Sequence, residues 1–90
     1  MPKLILNMEV KDWKIFEKIY IKGDNSNREK AGIKKIFIGQ EENKPNKVHA
    51  IFDIPHSNSM REYVENPEVK KMVQDSGINL ETLGGVVCED

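Results

Sequence analysis

Four polar residues sit where strand geometry would gather them. They are Asn7 and Glu9 in "KLILNMEV" (3–10), and His49 and Asp53 in "KVHAIFDI" (47–54). Successive strand side chains point to opposite faces, so Asn7 shares a face with Glu9, and His49 with Asp53. If the two strands are neighbours, an imidazole comes beside an amide and two carboxylates. Such a group can accept and donate a proton, with His49 tuned by Glu9 or Asp53. The same alternation also describes an ordinary polar outer face paired across strands, which is the commoner arrangement. One histidine and two carboxylates are the ligand types of a facial metal site. No spacing motif supports one, and no metal is expected. His56 follows Pro55 and reads as an exposed loop residue.

A second set is aromatic. Trp13, Phe16 and Tyr20 recur at helical spacing, and Tyr63 and Met72 fall on a later helix. Such a stripe is usually core, with the lining of a pocket between helices and sheet as the alternative. Arg28, with Asn27 and Lys30, has the chemistry to bind an anion. A surface ion pair with Glu29 or with a carboxylate of a partner chain is the simpler role. Cys88 is the single cysteine, so no internal disulfide and no cysteine-based zinc site can form, and it has no obvious activating neighbour. The sequence lacks a dinucleotide fingerprint, a P-loop, a nucleophile elbow and a zinc-protease motif. No cofactor is expected, and no reaction is named by the residues alone.

The elements that must position these groups follow from periodicity and punctuation. "KLILNMEV" alternates, with Leu4, Leu6, Met8 and Val10 on its apolar side. Asp12 caps a helix carrying Trp13, Phe16, Ile19 and Tyr20, which Gly23 and Asp24 interrupt. "NSNREKAG" adds a turn or two, ending at Gly32. "GIKKIFIGQ" (32–40) and "KVHAIFDI" read as two strands of a hairpin joined by the polar turn "EENKPNK" (41–47). Pro55 ends the third strand. Ser59 and Glu62 fit a capping box, and Asn66–Pro67 restarts the helix until Gly77 closes it. "INLETLGGVVCED" (78–90) is a last, irregular strand with a bend at Gly84–Gly85. The order β-α-β-β-α-β predicts an α+β, ferredoxin-like domain: a four-stranded antiparallel sheet with both helices on one face.

Ninety residues make a single domain, 1–90, and a chain this short buries only about 60–70% of its unfolded surface. Charged residues make up 32%, and the net charge is −1. That near-neutral balance argues against a nucleic-acid footprint, which needs clustered Lys and Arg. RNA-recognition modules share this strand order but display stacking aromatics on their central strands. Neither "KLILNMEV" nor "KVHAIFDI" matches that pattern. The N-terminus carries an apolar run of three residues, too short for a signal peptide or a membrane span. A soluble cytoplasmic protein without nucleic-acid or membrane partners is expected.

"WKIF" (13–16) followed by "NREKAGIKKIFIGQEENKPNKVHAIFDIP" (27–55) resembles a family of small uncharacterised proteins with the dimeric α/β-barrel form of the ferredoxin-like fold. The similarity runs from residue 3 to about residue 87 and is carried by structural punctuation. The wider superfamily that the chain resembles includes antibiotic-biosynthesis-type monooxygenases, haem-degrading enzymes and stress-responsive proteins. The resemblance implies a homodimer made by packing the open faces of two sheets together. It also implies a substrate pocket between sheet and helices, where Trp13, Tyr20 and Tyr63 would stand. Asn7 is similar to a polar residue of the haem-degrading members, but the helix over 59–76 has no histidine to serve as an axial ligand. Two functions are therefore expected in order. The first is a non-catalytic homodimeric module binding a small molecule or a protein, and the second a cofactor-independent monooxygenase-like enzyme.

Overall fold

The computed structural model describes residues 2–23 and 25–89, apart from the side chain of Asn25. The interruption expected at Asp24 falls outside these residues. The elements run β1 (Lys3–Val10), α1 (Trp13–Phe16) continued by a π-helical turn (Glu17–Ile21), α2 (Asn25–Lys30), β2 (Lys34–Glu41), β3 (Lys44–Asp53), α3 (Ser59–Val64), α4 (Pro67–Asp75) and β4 (Ile78–Cys88). The strands form one antiparallel sheet in the order β2-β3-β1-β4. With helices on one side, this is the expected ferredoxin-like α+β arrangement.

Alternation decides which residues make the core. Leu4, Met8 and Val10 of β1 are buried with Val48, Ala50 and Phe52 of β3 and with Ile54, and Leu6 packs against them. The helices close this face with Phe16, Tyr20, Tyr63 and Val69. Phe16 and Tyr20 stack with ring centroids 5.1 Å apart, and Trp13 tilts against Phe16 at 5.7 Å. The π-helical turn, closed by Lys22 N–H donating to Glu17 C=O, adds one residue per turn and carries Tyr20 inward. Asp12 Oδ1 accepts from the N–H groups of Lys14 and Ile15, as an N-cap should. Asn66 caps α4 with Pro67 at its first position, and Gly77 leaves that helix at a φ of 78°.

Three expectations change. No capping box forms at Ser59: α3 begins after Asn58, and the buried Ser59 Oγ instead accepts from His56 N–H at 3.0 Å. The hairpin turn shrinks to Glu42–Asn43, with Asn43 at a φ of 66°, so Glu41 and Lys44 belong to the strands. Arg28 is not on the surface. It is 3% exposed, its guanidinium donates to Ile21 C=O at 2.8 Å, and its Cζ lies 5.2 Å from the Tyr20 ring centroid.

Candidate functional site

Among the described residues no element covers the sheet face opposite the helices, and the strand register sorts that face into rows. Phe37, Ile51, Ile5 and Val86 stand side by side across β2, β3, β1 and β4. Phe37, Ile5 and Val86 are 50%, 39% and 58% exposed, so this row is an apolar band open to water. The next row is Gly39, His49, Asn7 and Gly84. The Phe37 ring lies over Gly39: a Cβ there would fall 2.5 Å from its Cζ. At the other end Asn7 leans toward Gly84, where a Cβ would meet its Oδ1 at 3.2 Å. Two glycines thus make room for the side chains beside them, which holds the aromatic ring next to the histidine row.

Charged pairs flank these rows. His49 Nε2 donates to Glu41 Oε1 at 2.9 Å, and Lys44 Nζ lies 3.3 Å from Glu41 Oε2. The hydrogen bond from His49, then the Lys44 ammonium, hold the Glu41 carboxyl below the usual glutamate range. Beyond the apolar row, Lys3 Nζ pairs with Asp53 Oδ1 at 2.6 Å. Lys47 and Glu9 are cross-strand neighbours at the far end.

Asn7, Glu9, His49 and Asp53 all lie on this face, because β1 and β3 are adjacent and in register. Only Asn7 is directly opposite His49. Asp53 sits two rows away, across the Ile5–Ile51 pair, and is engaged by Lys3. The carboxylate on His49 is Glu41, which the sequence placed in a turn. Among the described residues no group of three or more His, Cys, Asp or Glu side chains converges as a metal site. Trp13, Tyr20 and Tyr63 pack with the core. His56 is exposed, its Nδ1 accepting from Asn58 N–H at 3.3 Å.

Clefts indent the surface of the described residues at two places of note. One, about 560 Å³, opens where β4 leaves β1 and is lined by Glu9, Lys11, Asn46 and the start of β4. There the pairing of β1 jumps from Gly84 to Asn79, and Thr82 Oγ1 accepts from Glu9 N–H at 2.9 Å across the gap. The other, about 230 Å³, lies between α2 and α3 and is lined by Lys30, His56, Tyr63 and Asn66 among others. Trp13 and Tyr20 line neither.

No protein-family model matches the sequence, and no curated protein is significantly similar to it. Solved structures are similar in fold. A protein from Bordetella bronchiseptica, assigned as an antibiotic biosynthesis monooxygenase, superposes with a TM-score of 0.78 at 10% identity, over 99% of this chain and 95% of its own. SnoaB, a cofactor-independent oxygenase from Streptomyces nogalater, gives 0.73 at 13% identity, over 99% and 91%. A nipsnap family protein of unknown function from Agrobacterium tumefaciens gives 0.73 at 12% identity, over 100% and 87%. The chain therefore shares its ferredoxin-like fold with these proteins. At these identities the likeness concerns fold, and proteins of different function share it. No helix among the described residues is long and apolar enough to cross a membrane.

Proposed function

We propose that the protein is a non-catalytic homodimeric module that binds a small molecule or a protein, two copies meeting through the open sheet face. The observation that carries this reading is the apolar row from Phe37 to Val86, uncovered across all four strands. A two-fold axis through this face would lay row on row and cover both copies at once. The charged pairs on either side, His49–Glu41 and Lys3–Asp53, would form a polar rim. Asn7, His49 and Glu41 would then line the interface, and that is where a bound molecule would meet hydrogen-bonding groups. The second reading, a cofactor-independent oxygenase, is favoured by the fold shared with SnoaB. Against it stands the packing of Phe16, Tyr20 and Tyr63, each 5% exposed or less, in the space a substrate would need.

A native mass spectrum of freshly purified protein tests the reading. A dimer is expected, and extra mass on it would identify the ligand to pursue. A monomer at all concentrations overturns the proposal. Turnover of an oxidisable aromatic substrate, lost in Asn7→Ala or His49→Ala, would replace it with the oxygenase reading.

A further inference from the structure

On the helical side, away from the open sheet face, the 230 Å³ cleft between α2 and α3 brings together donors that have little else to do. Most of its lining is polar; Tyr63, 5% exposed, and Ala31 are the lining residues that offer apolar contact. Lys30 supplies an ammonium that takes part in none of the ion pairs among the described residues. His56 is held at the rim by two backbone contacts. Its N–H donates to Ser59 Oγ at 3.0 Å, and its Nδ1 accepts from Asn58 N–H at 3.3 Å. An acceptor at Nδ1 places the imidazole proton on Nε2. That Nε2–H is 3.8 Å from Glu62 Oε1, beyond hydrogen-bond reach. Asn66 Oδ1 is taken by Glu68 N–H at 2.9 Å, which leaves its amide NH₂ as a third donor on a residue that lines the cleft. Against three donors, the lining holds one carboxylate, Glu62.

We propose that this cleft binds a small organic carboxylate, its charged end on Lys30, His56 Nε2 and Asn66 and its apolar body over Tyr63 and Ala31. An excess of donors, with the Lys30 ammonium among them, favours an anion, and hydrogen bonds to a charged group are the stronger kind. Contact with Tyr63 and Ala31 favours a carboxylate with a hydrocarbon or aromatic body over a bare inorganic ion. The volume is below the usual range for ligand pockets, so the ligand has roughly ten heavy atoms or fewer. Of the set Asn27, Arg28 and Lys30, whose chemistry could bind an anion, Lys30 is thus the cation at this cleft. Arg28 turns into the core, while Lys30, two residues on, reaches the cleft.

The test is a titration of the ¹⁵N-labelled protein with benzoate, followed by backbone amide shifts. Saturable shifts are expected at Lys30, Ala31, His56 and Asn66, with none at Ile5 or Val86 on the open sheet face. Benzamide, the uncharged isostere, should bind at least tenfold more weakly. Lys30→Gln and His56→Gln should each weaken benzoate at least tenfold while the spectra stay dispersed. Absence of saturable shifts, equal binding of benzamide, or binding unaffected by both substitutions overturns the proposal. Inorganic phosphate shifting the same amides where benzoate does not would overturn the carboxylate class. None of these outcomes depends on whether the protein dimerises.

Discussion

Replacing Phe37 by alanine separates a wet sheet face from a covered one. The ring is 50% exposed in the protomer and rests on Gly39. Burying a phenylalanine fully is worth about 1.5–3 kcal/mol, so covering the exposed half in the proposed dimer would contribute about 1 kcal/mol per copy. A two-fold interface counts each contact twice, giving about 2 kcal/mol for the pair. That corresponds to a dimer Kd weakened about 30-fold. The protomer loses the half already buried, about 1 kcal/mol, which a folded domain tolerates. Sedimentation equilibrium over a concentration series measures the Kd, and urea denaturation of the same samples checks the fold. A Kd within about threefold of wild type, in protein that remains folded, would refute a place for Phe37 in the interface.

Other substitutions test the frame beneath that face. Phe52→Ala empties a site that is 0% exposed at the centre of the sheet, and should cost about 3–5 kcal/mol in urea denaturation. A loss under about 1 kcal/mol would mean that the core is not packed as described. Asp12→Ala removes the acceptor for Lys14 and Ile15 N–H and should cost about 1 kcal/mol, read as a lowered melting temperature. Glu41→Gln tests the pair on His49. The folded-state pKa of Glu41 is lowered, so its contribution is present above the unfolded pKa and fades as pH falls through the folded one. The stability gap between wild type and Glu41→Gln should therefore narrow below about pH 4. Equal gaps at neutral and acid pH would exclude the His49–Glu41 contact as the cause.

Most of the frame could be read from local pattern. Alternation in "KLILNMEV" and "KVHAIFDI" separated the residues that enter the core from those that stay outside. It placed Asn7, Glu9, His49 and Asp53 on one face, because strand period and sheet adjacency leave little choice. The partner of His49 was not legible. "EENKPNK" looks like a long turn, yet Asn43 accepts a positive φ and tightens the connection to two residues. β2 then extends to Glu41, and a carboxylate assigned to a loop reaches the imidazole. Arg28 misled for a different reason. An arginine in a polar segment reads as surface, and only the packing of α2 against the Tyr20 ring gives the guanidinium a buried place.

The element order, the core face of each central strand and the caps at Asp12 and Asn66 are all legible in the residues. Each of these rests on chemistry within a few residues, where backbone period and side-chain reach suffice. That Phe37, Ile51, Ile5 and Val86 form one band, and that Lys30, His56 and Asn66 share one cleft, emerges only once the strands pair and the helices pack. These groups come from segments far apart in the chain. Their meeting depends on strand register, on the bulges that shift it, and on how short helices lie against one another, none of which a local pattern encodes.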